Sequence, residues 1–180
     1  MKLNIGCGRN ILKGWVNVDK VALPGVDVVT ETMHHSLPMF DANTVDEFLL
    51  SHVIEHIHEP LPLMQELHRL AKPGALATIR TPYGSSDDAW EDPTHVRPYF
   101  PHSFGYFSQP FYWRADYGYR GDWRVVRVQL LVDSPCEMAM IRMARNCVKE
   151  MVATLEAVKP IREPKRELQQ PLMTEIMVVG

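Results

Sequence analysis

The stretch Leu3-Asn4-Ile5-Gly6-Cys7-Gly8 constrains this chain more than any other. A short apolar run, with the look of a buried strand, ends in a Gly-x-Gly turn. Glycine reaches backbone conformations that side chains block, and it lets a ligand approach the main chain closely. Open α/β sheets bind nucleotide-like ligands where a strand runs into such a turn, at the carboxyl ends of the strands. Taken alone the turn is a weak signal. It gains weight only if later parts of the chain carry matching motifs at suitable distances.

Strand signals come next at Trp15–Asp19, Val26–Thr30 and Val45–Ser51, the last after a loop over residues 34–44. A helix should start near Pro60 to Pro62, because proline is tolerated in a first turn. Leu63, Leu67 and Leu70 carry its spacing, and Pro73-Gly74 stops it. Ala75–Arg80 is the next strand, and Arg124–Val132 alternates well enough to be another. Ser134-Pro135-Cys136-Glu137 reads as a capping box. The helix it opens should run to Val158, with Ile141, Ala144, Val148, Met151 and Leu155 at steps of three and four. Leu172–Val179 reads as the last strand. Alternating strand and helix signals argue for an α/β fold with a largely parallel sheet.

The chain has 180 residues, 46% hydrophobic and 23% charged, which suits one globular domain over residues 1–180. The net charge of −3 shows no basic surplus, so nucleic acid is not a favoured partner. Cys7, Cys136 and Cys147 have no paired spacing, which argues against a disulfide framework or a cysteine zinc site. No apolar run is long enough for a membrane span, and Met1–Gly8 lacks a signal-peptide core. A cytoplasmic location is the expectation.

An acid closing the second strand, Asp19, can accept hydrogen bonds from both hydroxyls of a ribose beside the glycine turn. With Asn17-Val18-Asp19, Ser51-His52-Val53-Ile54-Glu55-His56-Ile57 and Leu70-Ala71-Lys72-Pro73-Gly74 in this order after the first motif, the chain resembles the class I S-adenosylmethionine-dependent methyltransferase family. The resemblance covers residues 2–82 well and the remainder loosely. It implies a Rossmann-like, mostly parallel seven-stranded sheet flanked by helices, its last strand antiparallel. Residues 1–82 would be the cofactor-binding half, and residues 83–180 the acceptor side.

The resemblance also implies S-adenosylmethionine as cofactor and a small polar acceptor methylated on oxygen or nitrogen. Asn4, Gly6, Cys7 and Gly8 would meet the methionine part and the ribose, and Asp19 the ribose hydroxyls. Glu31 would face the adenine, and Ser51 and His52 the sulfonium side. Two departures stand out. Asn4 replaces an acid, and Gly8 and Asp19 lie only eleven residues apart, too close for a full helix between the first two strands. That leaves a non-catalytic nucleoside-binding module or partner subunit as the alternative.

Three further features bear on function. His52-Val53-Ile54-Glu55-His56 has the spacing of an inverted zinc-hydrolase motif, but Pro60 and Pro62 come too soon for the long helix that motif needs. Apart from that remote reading no metal is expected. His95 in Asp92-Pro93-Thr94-His95 is the candidate general base, with Asp92 to orient it; a loop held by an Asp–His contact is the blander reading. Trp90 and the aromatics between Tyr99 and Trp123 are a lid over a flat acceptor, the core of an irregular segment, or a dimer surface. The expected helix over residues 135–158 is a second candidate homodimer surface.

Overall fold

The computed structural model describes residues 1–179. Eight strands lie in one sheet: β1 (Lys2–Ile5), β2 (Val16–Asp19), β3 (Val28–Val29), β4 (Val45–Ser51), β5 (Ala71–Pro82), β6 (Trp123–Val132), β7 (Glu150–Ala157) and β8 (Thr174–Val178). Their spatial order is β3-β2-β1-β4-β5-β7-β6-β8. β7 is antiparallel to both of its neighbours, and every other pairing is parallel. The order reverses between β1 and β4. That is a topological switch point, with the Gly6–Gly8 turn at the carboxyl end of β1 beside it.

The α/β class and the Rossmann-like arrangement agree with the sequence. The strand count is eight rather than seven, and the antiparallel strand is β7, whereas the last strand, β8, runs parallel to β6. Both differences have one origin. Residues 150–157, expected to lie in a long helix, form β7. Met151, Ala153, Leu155 and Ala157 are buried and their neighbours half-buried, which is the period of a strand. The helix at this point, α3, covers only Met138–Met143. The expected dimer surface on a 135–158 helix therefore does not exist. Of its apolar residues, Met151 and Leu155 lie inside the sheet, between β5 and β6, and Ile141 is on α3.

Helices are sparse. α1 (Pro60–Leu70) starts at a proline as expected and buries Leu63, Met64, Leu67 and Leu70. Trp123 at the start of β6 is fully buried, and its indole N–H donates to Met64 O at 2.8 Å. Phe48 of β4 meets the Trp123 ring edge-on at 6.0 Å. α2 (Asp88–Glu91) is a single turn, and 3-10 turns occupy Pro101–Phe107 and Gln109–Tyr112. No helix among the described residues is long and apolar enough to cross a membrane.

The aromatic segment divides. Tyr99, Phe104, Phe107 and Tyr119 are buried in the core, whereas Phe100, Tyr106 and Tyr117 are exposed. Between this segment and the start of α1 lies a cavity of about 970 Å³, with Arg97, Tyr99, Phe100 and Tyr106 in its wall.

Candidate active site

The first crossover sets the site. Parallel neighbours usually need a dozen or more residues between them, most often including a helix. Here residues 6–15 link β1 to β2 with no helix. Two buried asparagines take its place. Asn4 Nδ2 donates to Asn10 O at 2.7 Å and to Asn17 Oδ1 at 3.0 Å. Asn17 Oδ1 also accepts from Leu12 N, while its amide nitrogen donates to Leu12 O, Trp15 O and Asp27 Oδ2. Loop groups that a helix would pair internally are satisfied by side chains. Asn4, expected at the cofactor's methionine end, has its amide nitrogen committed to this clamp.

The glycine corner is tight on one side and open on the other. Gly6 has φ +62°, and a Cβ there would come within 2.6 Å of Val53 Cγ2. That contact locks the turn after β1 to the turn after β4. Gly8 has φ +53°, and a Cβ there would meet nothing within 4 Å. Asp19, buried at the end of β2, accepts from Gly8 N at 2.7 Å through Oδ2 and from Val21 N at 2.9 Å through Oδ1. The two pieces separated by eleven residues thus meet directly. Cys7 is buried between them, and burial, with Asp19 second, pushes its thiol up. It is a packing residue more than a nucleophile. Glu31 is exposed just beyond β3.

At the end of β4, Ser51 is half-buried and His52 has φ +55°, a backbone conformation uncommon for a residue with a side chain. Charged partners accompany it. His52 Nε2 is 2.9 Å from Glu150 Oε1, and Nδ1 is 3.3 Å from Glu55 Oε1. Glu150, then Glu55, push His52 up to about 9. The His52 bond, with help from Arg80, holds Glu150 below the usual carboxylate range. Two cations and two carboxylates therefore meet at the ends of β4, β5 and β7. Glu150 went unseen in the sequence because it was expected in a helix. The alternation after it was the signal.

The Asp92–His95 pair comes together only loosely. His95 Nε2 is 3.9 Å from Asp92 Oδ2, beyond hydrogen-bond length. Asp92 Oδ1 instead accepts from Thr94 N at 2.8 Å and Thr94 Oγ1 at 2.7 Å, and these bonds hold its carboxyl low. The pair is not a hydrogen-bonded acid–base dyad here. The expected zinc set also differs in space. His52 turns to Glu150, and the side chains that cluster are Glu55, His56 and His95.

Residues 10–79 match the family model described as a methyltransferase domain. No curated protein matches the sequence. Among solved structures, a SAM dependent methyltransferase from Archaeoglobus fulgidus is 18% identical. It aligns with a TM-score of 0.61 over 86% of this chain and 85% of its own. A SAM-dependent methyltransferase, possible histamine N-methyltransferase, from Thermotoga maritima is 17% identical, with a TM-score of 0.59 over 88% of this chain and 82% of its own. The CurJ carbon methyltransferase is 12% identical, with a TM-score of 0.58 over 88% of this chain and 48% of its own. At these identities the likeness is one of fold.

Proposed function

We propose that the chain is an S-adenosylmethionine-dependent methyltransferase acting on an oxygen or nitrogen of a small polar acceptor, a reading supported by the match of residues 10–79 to a methyltransferase-domain model and by the likeness of its fold to that of S-adenosylmethionine-dependent methyltransferases. One observation carries the reading. The Asp19 carboxylate sits 2.7 Å from Gly8 N at a switch point of the sheet, with open space where a Gly8 side chain would be. Each Asp19 oxygen uses one lone pair on a backbone N–H and keeps another for a ribose hydroxyl. Gly6, Cys7 and Gly8 would border the methionine part, Glu31 the adenine, and Ser51 and His52 the sulfonium.

The cofactor supplies an activated methyl carbon. The chain's task is to place an acceptor in line with it, which can provide most of the rate without a dedicated base. The positive charge on His52 would oppose a sulfonium. Glu55 and Glu150 beside it cancel that charge, and Arg80 balances the second carboxylate. The edge is therefore not net repulsive to a cationic cofactor.

A second reading, a nucleoside-binding module without turnover, is favoured by one feature. Residues 6–15 carry no helix to wall the pocket on the β1–β2 side. Titration calorimetry with S-adenosylmethionine and S-adenosylhomocysteine tests the shared site. Binding is expected for both, and Asp19→Ala should weaken it by about 1–3 kcal/mol. Asp19→Asn serves as the milder variant should alanine free the Gly8 turn. No heat with either nucleoside, in a protein that melts normally, would remove both readings. Binding without methyl transfer to a panel of hydroxyl and amine acceptors would select the second.

A further inference from the structure

Glu55, His56 and His95 have no role in holding the cofactor or in the charge balance at His52 that needs all three. Glu55 and His56 stand on the 3-10 turn Ile54–His56 after β4, and His95 on the loop after α2. The main chain brings them together, because Val96 N and Arg97 N both donate to Glu55 O, at 2.9 and 3.3 Å. One donor atom from each side chain lies within 4.8 Å of the other two. The two imidazoles meet edge-on with centroids 4.7 Å apart.

Two of these side chains are buried with an unmet polar atom. Glu55 is 2% exposed. Its Oε2 accepts from Thr81 Oγ1 at 3.1 Å, while Oε1 receives no hydrogen bond, His52 lying near but out of line. The His95 side chain is 8% exposed, and its Nδ1 has no partner. Buried polar atoms are rarely left so, and two in one cluster call for a common explanation.

The tautomers point the same way. His56 Nδ1 lies 3.2 Å from Thr94 O and 3.0 Å from Thr94 Oγ1. The carbonyl can only accept, so Nδ1 carries the proton and Nε2 keeps the lone pair. Thr94 Oγ1 gives its own proton to Asp92 Oδ1. His95 Nε2 is 3.9 Å from the other Asp92 oxygen, too far for a hydrogen bond, and its Nδ1 has no partner, so neither ring nitrogen of His95 is committed elsewhere. At His56, one nitrogen turned to a carbonyl with the other free is how metal-binding histidines are held.

We propose that Glu55, His56 and His95 bind a divalent transition-metal ion, zinc being the best match, which clips the 92–97 loop to the turn after β4. Two imidazoles and one carboxylate suit zinc, whereas magnesium and calcium prefer oxygen alone. Three protein ligands leave one position for water or a ligand atom. His52 does not block the ion, since its other nitrogen remains on Glu150.

The test needs no S-adenosylmethionine. Protein stripped with a chelator is titrated with Zn²⁺ by equilibrium dialysis and with Co²⁺ by visible absorption. One equivalent should bind, with a Co²⁺ band of four-coordinate intensity. Glu55→Gln and His95→Asn should each weaken binding by more than the ~10–100-fold typical of lost outer-shell partners, and Thr94→Val should fall within that range. A Cys136→Ser, Cys147→Ser double variant should bind as the wild type does, which removes these two thiols as the source. Should a ligand variant fail to fold, histidine NMR of the wild type decides. Zn²⁺ should shift the His56 and His95 signals before those of the exposed His34 and His35. No retained metal, affinity indifferent to Glu55→Gln and His95→Asn, or zinc that first perturbs other histidines would each overturn the proposal.

Discussion

Two buried carboxylates on opposite sides of the fold show how differently an acid can be housed. Asp122 is fully buried where β6 begins. Its Oδ1 accepts from Gln109 N and Arg162 Nη2, and its Oδ2 from Arg162 N and Nε, all between 2.8 and 3.1 Å. Glu55 is almost as buried, yet has one hydrogen-bond donor, Thr81, and an oxygen that makes no hydrogen bond, with His52 Nδ1 3.3 Å away and out of line. The protein has met every demand of Asp122, which ties the aromatic segment and the connector after β7 to the sheet. At Glu55 it has buried a carboxylate and left it partly unserved. A saturated acid marks scaffold, and an unsaturated one marks a place for something not encoded in the chain.

The strongest way to break this comparison is Asp122→Ala. It leaves the buried Gln109 backbone N–H without its acceptor and the half-buried Arg162 guanidinium without its carboxylate. Breaking a buried pair by removing one partner typically costs about 3–5 kcal/mol. Urea unfolding followed by tryptophan fluorescence reads the loss, with Trp123 next in sequence as reporter. A loss below about 1 kcal/mol would mean that the four bonds to Asp122 do not fasten this half of the molecule.

A middle-sized effect is expected at Asn17. It saturates the β1–β2 crossover as Asp122 saturates its own surroundings. Asn17→Ala would leave Asn4, Leu12 and Trp15 each short of a partner. About 1–3 kcal/mol of stability should be lost. S-adenosylhomocysteine affinity should fall as well, because the clamp positions the Gly8 turn. Calorimetry alongside the unfolding curve separates the two. Affinity unchanged at a lowered stability would detach the clamp from the cofactor site.

The same division runs through the parts of the molecule that the sequence disclosed. The first half was legible because punctuation residues mark its elements, the Gly6–Gly8 turn after β1 and Pro60 to Pro62 in the first turn of α1, although Pro73-Gly74, read as the stop of that helix, lies inside β5. The Gly8–Asp19 contact was legible too, since Asp19 closes β2 and Gly8 lies in the turn that follows the adjacent β1. β7 was not, because Val148, Met151, Leu155 and Val158 fall at steps of three, four and three. The buried strand positions between them, Ala153 and Ala157, are too small to advertise a period of two. The role of Asn4 was hidden by its motif position. It became a clamp only because no helix was there to satisfy the loop. The Glu55–His56–His95 cluster joins side chains about forty residues apart through backbone bonds to Glu55 O, which no local spacing reveals.

The smallest expected effect is the sharpest test of the comparison. Glu55→Gln keeps the shape of the side chain and an amide oxygen for Thr81, and replaces the oxygen that made no hydrogen bond, 3.3 Å from His52 Nδ1, by an uncharged amide nitrogen. His52 keeps Glu150 as partner, and its ring is 42% exposed, so water screens most of what it loses. In metal-free protein the change should therefore shift stability by less than about 1 kcal/mol, far below Asp122→Ala despite similar burial. Added zinc should raise the melting temperature of the wild type and leave that of the variant where it was, because an ion that binds only the folded state stabilises by mass action. If Glu55→Gln alone proved as damaging as Asp122→Ala, the unmet oxygen would be structural after all, and the contrast between the two acids would fail at its weaker member.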